Sequence, residues 1–211
     1  NILILSQISM RQKSPFFILL ICVMLPAVAY SQDKYLHFED IKFEQALLSH
    51  NPVIDTDNDG RISEKEATSF AGELNIENRG VSAVEEIACF KNITKLSCAY
   101  NKLQYIPFGI HPRLAVVNCD YNRLIDLDVT ELTALTRLSC VSNRLTFLSL
   151  IRNLKISEID CRLTLIAEVY INRKTNHIAL KIQKEAGTRI VVIDEKKNPH
   201  GDYPQREYDT F

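Results

Sequence analysis

A cysteine recurs every 21 residues in the middle of this 211-residue chain, at Cys98, Cys119, Cys140 and Cys161. The segments 93–103, 114–124 and 135–145 read ITKLSCAYNKL, LAVVNCDYNRL and LTRLSCVSNRL. Each fits the pattern L-x-x-L-x-[L/C]-x-x-N-x-L, in which one repeat supplies a short strand and one layer of a shared core. Because a single repeat cannot bury its own apolar side, this period predicts a stack of parallel strands.

Weaker copies of the pattern stand on either side of these three segments. Residues 71–81 read AGELNIENRGV and residues 156–166 read ISEIDCRLTLI, with Arg79 and Thr164 at the asparagine position. The linking segments keep the same period, and their apolar columns are Ile106, Leu127 and Leu148, and Phe108, Val129 and Leu150. We therefore predict an α/β leucine-rich repeat solenoid of about five repeats of 21–22 residues over 73–166.

The repeated polar and sulfur-containing positions predict what lies inside the stack. Asn101, Asn122 and Asn143 should form a buried ladder whose amides satisfy the backbone where each strand ends. The four cysteines share an apolar column, so we expect free thiols that pack as small hydrophobic residues. A metal ladder, a redox pair and a nucleophile are the alternatives, but a buried column offers a thiolate neither charge nor solvent.

Residues 55–66, DTDNDGRISEKE, fill every position of a twelve-residue calcium loop. Gly60 stands where such a loop turns sharply, and four carboxylates around one turn repel one another unless a cation lies among them. The predicted Ca²⁺ ligands are the side chains of Asp55, Asp57 and Asp59, the carbonyl of Arg61, and the side chains of Ser63 and Glu66. The alternative is an acidic turn, since Ser63 and Glu66 also fit a capping box that needs no metal.

Helical patterns on both sides of the loop, over 38–50 and 63–74, predict a helix-loop-helix unit within 32–72. Calcium sensors of the EF-hand type usually carry paired loops, whereas this sequence has one, which leads directly into the first repeat. An open solenoid end exposes apolar core and an unpaired strand edge. We therefore expect an N-terminal cap stabilised by one structural calcium ion. A calcium-responsive regulator, and a dockerin-like anchoring or accessory protein that docks through the calcium unit, are the alternatives.

The order of these motifs is itself informative. A calcium loop followed by LNIENRGVSAVEEI and by repeats of the LSCAYNKL type resembles secreted or surface leucine-rich repeat proteins of bacteria, including the internalin-like group. The resemblance covers about residues 38–166, and the weak fourth copy and the C-terminus depart from it. It implies a curved interaction scaffold without catalytic activity.

The N-terminal segment has the three parts of a secretory signal. Basic residues after Met10 precede the apolar stretch PFFILLICVMLPAV, and small residues stand before Gln32. We predict a signal peptide over 1–31, with the native start at Met10, and a secreted or cell-surface protein, with the periplasm as the alternative. The apolar stretch is shorter than the roughly 20 residues that span a bilayer, so we expect no transmembrane segment in the mature chain.

The sequence after the last repeat cysteine breaks the period. AEVYINR comes too early for a further repeat strand, and IALKIQK would restore the phase by placing Leu180 and Ile182 after Ile159 and Cys161. We predict a β-rich C-terminal cap over 167–194 and a flexible tail over 195–211.

A ligand of the solenoid would meet side chains that point away from the concave strands. Tyr100 and Tyr121 are neighbours in one column, and exposed tyrosines are common at interfaces. A basic column beside the asparagines suits sulfate, a uronic acid or an acidic protein surface, although it could serve only solubility. The predicted ligand-binding residues are Lys95, Tyr100, Asn118, Asp120, Tyr121 and Arg137, with Lys102, Arg123 and Arg144 in the basic column.

Composition and motifs narrow the class of function. With 25 basic and 26 acidic residues, the chain has no broad attraction to nucleic acid. The sequence contains no phosphate-binding loop, zinc-protease motif or nucleophile elbow, so we expect no enzymatic activity. We predict a secreted or surface-exposed repeat protein that binds a protein or a glycan ligand.

Overall fold

The computed structural model describes residues 34–194 of the chain. The signal peptide predicted over 1–31 and the tail predicted over 195–211 lie outside these residues. The helices are α1 (Ile41–Leu48), α2 (Glu64–Ser69) and two 3₁₀ helices at Glu85–Cys89 and Arg173–Lys181. The strands are β1 (Ala71–Asn75), β2 (Asn92–Ser97), β3 (Val116–Asn118), β4 (Arg137–Ser139), β5 (Phe147–Leu150), β6 (Glu158–Asp160), β7 (Glu168–Asn172) and β8 (Arg189–Ile193). No described helix is long and apolar enough to cross a lipid bilayer.

Five strands form one parallel sheet in the order β1-β2-β3-β4-β6. Val116 pairs with Lys95 on one side and with Arg137 on the other, so equivalent residues of successive repeats lie side by side. An isolated bridge between Asp160 and Gln183 extends this sheet by one further turn. The register confirms the predicted repeat solenoid, because each turn of the chain adds one strand to a continuous core.

A second parallel sheet, in the order β5-β7-β8, is built from the segments that link the repeat strands. Phe147 pairs with Glu168, and Glu168 pairs with Arg189, so this sheet keeps the same 21-residue step. Most of the segment AEVYINR forms β7. It comes too early for the first sheet because it belongs to the second.

The alignment expected for IALKIQK is wrong by two residues. The bridge between Asp160 and Gln183 places Ile182 beside Ile159 rather than beside Cys161. Leu180 cannot continue the strand column because it lies in the 3₁₀ helix Arg173–Lys181. Because the helix continues to Lys181, the chain returns to the first sheet only at Gln183.

The predicted asparagine ladder is confirmed. The Asn122 Oδ1 atom accepts a hydrogen bond from the backbone N–H of Leu103 at 3.0 Å. Its amide nitrogen donates to the carbonyl of Cys98 at 3.0 Å, among others. Asn101 and Asn143 make equivalent bonds one repeat away on either side. The ladder therefore satisfies the backbone groups that would otherwise be buried without partners.

The four repeat cysteines are free and buried, as the sequence predicted. The thiols of Cys98 and Cys119 donate to backbone carbonyls of the next repeat. Burial raises the pKa of Cys161 to about 11 and raises the pKa values of Cys119 and Cys140 well above the ordinary range. Buried neutral thiols of this kind pack as small hydrophobic side chains, which is the role that the sequence predicted for the column.

The helical unit shares its core with the first repeat. Phe43, Phe70 and Leu74 belong to one cluster of buried hydrophobic residues. The His50 Nε2 atom accepts a hydrogen bond from the backbone N–H of Asn75 in β1 at 2.9 Å. These contacts place the helices against the end of the sheet that begins with β1.

Both helices are shorter than the sequence patterns predicted. α1 begins after Asp40, whose carboxylate accepts a hydrogen bond from the backbone N–H of Lys42 at 2.8 Å as an N-terminal cap. α2 ends at Ser69, and residues 71–74 are strand rather than helix. The reason is pairing with β2, which supplies partners for the backbone groups of Ala71–Asn75.

Candidate calcium loop and ligand surface

Three aspartates of the predicted calcium loop converge. One carboxylate oxygen from each of Asp55, Asp57 and Asp59 lies within 4.8 Å of the other two. Asp55 is buried, whereas Asp57 and Asp59 are exposed. Within residues 34–194 this is the one cluster of three or more histidine, cysteine or acidic side chains with metal-ligand spacing.

Backbone hydrogen bonds shape the loop around these carboxylates. Asp55 accepts from the N–H groups of Asp59 at 3.2 Å and Gly60 at 3.0 Å, and Asp59 accepts from that of Arg61 at 2.9 Å. Asn58 and Gly60 have φ angles of 63° and 81°, in the left-handed region. Glycine adopts this backbone without steric cost, which explains its place at the turn.

The electrostatics of the loop favour a cation. Desolvation, together with the neighbouring Asp59 and Glu66 carboxylates, raises the pKa of Asp57 above its ordinary range. A cation among the carboxylates would remove this repulsion, and an all-oxygen donor set suits calcium. The three aspartates therefore fit Ca²⁺, and the carbonyl of Arg61 would be the next donor along the chain.

Glu66, the expected twelfth-position ligand, is engaged elsewhere. Its Oε1 accepts from the N–H of Thr56 at 2.6 Å and from the Thr56 hydroxyl at 3.0 Å. Its Oε2 accepts from the N–H and the hydroxyl of Ser63, both at 2.9 Å. Desolvation raises the pKa of Glu66, but these bonds outweigh it, and the pKa lies below its ordinary value.

Ser63 and Glu66 form a capping box at the start of α2. The Ser63 hydroxyl oxygen also accepts from the backbone N–H of Glu66 at 3.2 Å. A carboxylate has about four acceptor positions, and all four of those on Glu66 are taken. The structure thus joins three of the predicted ligands and gives Ser63 and Glu66 the role that the sequence offered as the alternative.

Two residues at the loop were not expected. Thr56 bonds Glu66, and Tyr35 donates its hydroxyl to the Asp59 Oδ2 atom at 2.6 Å. The Arg61 guanidinium lies 3.6 Å from the centroid of the Tyr35 ring, a cation–π contact. Tyr35 is 24 residues from Asp59 in sequence and belongs to no motif, so only the folded chain brings it to the loop.

The predicted tyrosine column forms a stacked pair. The ring centroids of Tyr100 and Tyr121 are 4.6 Å apart, and the ring planes differ by 7°. The two residues are 57% and 44% exposed. Both have a left-handed φ, as do Ser142 and Leu163 in the same column, so the backbone presents all four side chains in the same way.

The predicted basic column lies two residues further along each repeat. Lys102, Arg123 and Arg144 are exposed. No hydrogen bond or ion pair connects their side chains to another residue within 34–194. We call Tyr100, Tyr121, Lys102, Arg123 and Arg144 the tyrosine rim.

The other predicted ligand-binding residues have partners on the sheet itself. Burial raises the pKa of Asp120, which is half-buried. The pairs, each joined at 3.3 Å or less, are Lys95 with Glu73, Asn118 with Glu77, Asp120 with Ser139, and Arg137 with Glu158. A ligand that bound these polar groups would first have to break the existing bonds, so the sheet face is the weaker candidate.

No protein-family model matches this chain, and no curated protein matches it. Among solved structures, the chain is similar to one described as "Functional domain of InlJ from Listeria monocytogenes includes a cysteine ladder". That similarity has a TM-score of 0.37 and 18% sequence identity, and it covers 64% of this chain and 43% of that chain. The chain thus spans less than half of that structure. The assignment of a repeat solenoid rests on the strand register of the chain itself.

Proposed function

We propose that this chain is a non-enzymatic, secreted or surface-exposed repeat protein that binds an acidic segment of a partner protein on the tyrosine rim. The observation that carries the proposal is the exposed, stacked pair Tyr100 and Tyr121 beside three cations that lack partners among the described residues. Tyrosine and arginine are enriched at protein interfaces, and tyrosine is common among the residues that contribute most to binding.

The stacking of the tyrosines favours a protein ligand over a glycan. A sugar ring binds against the open face of an aromatic ring, but the inner faces of Tyr100 and Tyr121 cover each other at 4.6 Å. The pair therefore offers a ligand the outer faces, edges and hydroxyl groups of its rings, and not both faces of either ring. Edge-to-face contact with an aromatic side chain of a partner protein would be favourable at these rings.

The charges of the rim set the sign of the partner. Lys102, Arg123 and Arg144 stand one repeat apart, so an extended segment that runs along the solenoid axis would pass all three. Because none of them is neutralised by a described side chain, an acidic segment gains their attraction without breaking an existing ion pair.

The same proposal includes one structural calcium ion in the N-terminal loop. Asp55, Asp57 and Asp59 would hold it, and it would cancel the repulsion among their carboxylates. Asp57 and Glu66 line the same cavity of about 380 Å³, and the Glu66 carboxylate would join the metal ligands only by giving up its bonds to Thr56 and Ser63. The loop leads through α2 into β1, so calcium would stabilise the end of the solenoid rather than carry the ligand.

Binding of a fluorescent random copolymer of glutamate and tyrosine, followed by fluorescence anisotropy, tests the ligand surface. We expect binding that weakens with added salt, because the rim cations are exposed. Tyr121→Ala should weaken it about tenfold or more, and Arg123→Ser by about threefold.

Tyr105→Ala and Arg113→Ser are the matched controls, since both residues are exposed and lie outside the rim. We expect either control to change the affinity less than about twofold. If the protein binds heparin but not the copolymer, the ligand is a sulfated glycan and the proposal of a protein ligand is wrong. Equal losses in the control and rim variants, or no binding of either polymer, would refute the tyrosine rim as the site.

A further inference from the structure

Within residues 34–194 the proposed calcium loop is the one acidic cluster with metal-ligand spacing, and its last residues are paired along the backbone. Tyr35 and Ser63 form an isolated antiparallel bridge. The N–H of Leu36 donates to the carbonyl of Ile62 at 2.9 Å, and the N–H of Glu64 donates to the carbonyl of Lys34 at 2.8 Å. The segment Lys34–Leu36 therefore lies as a short strand beside the end of the loop.

Side chains of the same segment contact the loop on both sides of this bridge. The Tyr35 hydroxyl donates to the Asp59 Oδ2 atom at 2.6 Å, and the Tyr35 ring lies under the Arg61 guanidinium at 3.6 Å. The Lys34 ammonium pairs with the Glu64 carboxylate at 2.8 Å. Three consecutive residues thus contact the stretch from Asp59 to Glu64.

The contact with Asp59 bears directly on the metal ligands. Its Oδ1 atom accepts from the N–H of Arg61 at 2.9 Å, and its Oδ2 atom accepts from Tyr35, so the orientation of the carboxylate is fixed from both sides. Loss of a partner that orients a metal ligand typically lowers metal affinity by about 10–100-fold. A ligand that is already oriented also loses less conformational freedom on binding.

We propose that the segment Lys34–Leu36 acts as a built-in partner strand that stands in for a second calcium loop, with Tyr35 as a positioning residue for Asp59. The segment holds the single loop in the conformation in which the three aspartates converge, and so raises its affinity for calcium. This inference rests on the calcium ion proposed above.

Titration of the purified protein with CaCl₂ by isothermal calorimetry tests the backbone pairing. Leu36→Pro removes the N–H that donates to Ile62, and Leu36→Ala is the matched control, since it shortens the same side chain and keeps the N–H. We expect Leu36→Pro to bind calcium about tenfold more weakly than Leu36→Ala. Far-UV dichroism shows whether both variants keep the fold.

Tyr35→Phe tests the positioning role in a variant that keeps the ring under Arg61. Loss of one hydrogen bond to a charged group should weaken calcium binding by about tenfold. Lys34→Met removes only an exposed ion pair and should change the affinity less than about threefold. If Tyr35 has only a structural role, Tyr35→Phe will lower the melting temperature in chelator. If Tyr35 positions Asp59, the variant will instead show a smaller rise in melting temperature when calcium is added.

The outcomes separate the two proposals. If the unaltered protein binds no calcium, the structural calcium and the partner-strand role both fail. If it binds calcium and Leu36→Pro matches Leu36→Ala while Tyr35→Phe matches the unaltered protein, the calcium proposal stands and the partner strand is refuted.

Discussion

The asparagine ladder and the acidic loop at residues 55–66 place their polar side chains in opposite environments. Each ladder asparagine is buried and is satisfied by backbone groups of its own and the adjacent repeat. In the loop, Asp55, Asp57 and Asp59 converge on one another, so like charges lie close together although backbone N–H groups donate to each carboxylate. The repeats therefore satisfy their polar groups from within the chain, whereas the loop would be completed by the calcium ion that we propose.

This contrast has a physical origin in periodicity. A repeated asparagine finds the same backbone environment at every turn, so one geometry satisfies the whole column. The loop occurs once and has no neighbour of its own kind. The free energy of unfolding should accordingly respond to side-chain deletion in the repeats and to solution conditions in the loop.

The largest expected effect comes from breaking the ladder. Asn122→Ala removes the acceptor of the Leu103 N–H and the donor to the Cys98 carbonyl. It should lower the free energy of unfolding by about 3 kcal/mol, because these groups stay buried without partners. Urea unfolding measures the change, and Arg123→Ala, one residue away and exposed, should cost less than about 0.5 kcal/mol. An equal loss in calcium and in chelator would show that the ladder is independent of the loop.

Calcium removal should cause the next largest fall in stability, and this fall should depend on the loop aspartates. At a hundredfold excess over its dissociation constant, calcium should stabilise the protein by about 2.7 kcal/mol. Thermal unfolding in calcium and in chelator measures this, and Asp57→Asn should abolish most of the difference. Unchanged dichroism at low temperature would support a structural ion. A spectral change at low temperature would favour the calcium-responsive alternative, and no change in melting would mean an acidic turn.

Alkaline pH should weaken the repeats before the loop. Burial raises the folded-state pKa of Cys161 from 9.0 to about 11, whereas the unfolded thiol ionises near its ordinary value. Between these values the unfolded state binds fewer protons, so the contribution of Cys161 to stability falls as the pH rises, by about 2 kcal/mol near pH 11. The raised pKa values of Cys119 and Cys140 act in the same direction. Urea unfolding at several alkaline pH values gives the slope. The free energy of unfolding of Cys161→Ala should fall less steeply with pH than that of the unaltered protein. Identical slopes would show that Cys161 does not have a raised pKa in the folded state.

The smallest expected effect is loss of the capping box. Ser63→Ala removes the hydroxyl that accepts from the Glu66 N–H and donates to its carboxylate. It should cost about 1 kcal/mol in chelator, as N-cap deletions commonly do. Thermal unfolding compares it with Ser69→Ala at the exposed far end of α2, which should be nearly neutral. If calcium draws Glu66 toward the aspartates, the cost of Ser63→Ala will be smaller in calcium than in chelator.

The repeats were predictable because their signals recur with one spacing. The asparagine and cysteine columns fixed the register of the first sheet in advance. The columns of Leu148 and Leu150 continue through Val169 and Ile171 into the second sheet, but the sequence alone did not separate strands of two sheets. The 3₁₀ helix Arg173–Lys181 then shifted the expected last alignment by two residues, because no repeat marks its length.

The geometry of the acidic loop, which we propose to bind calcium, was predictable in part. The spacing of Asp55, Asp57 and Asp59 within one turn brings them close together, and local hydrogen bonds from backbone N–H groups to Asp55 shape that turn. Glu66 fits two sequence patterns at once, and in the structure its carboxylate accepts hydrogen bonds from Thr56 and, as the capping box requires, from Ser63. Tyr35 could not be predicted, because its contact with Asp59 depends on how the chain returns across the loop.

The sequence by itself determined the period, the inward columns and the acidic turn, because each depends on residues at fixed separations along the chain. Only the tertiary structure decided which sheet each strand joins, which exposed side chains lack partners, and what lies against the single loop. Such choices depend on contacts between segments distant in sequence, which no local pattern records. The stacked tyrosines depend on both kinds of information. Their 21-residue spacing makes them neighbours, and the left-handed backbone at both positions presents the rings side by side with their centroids 4.6 Å apart.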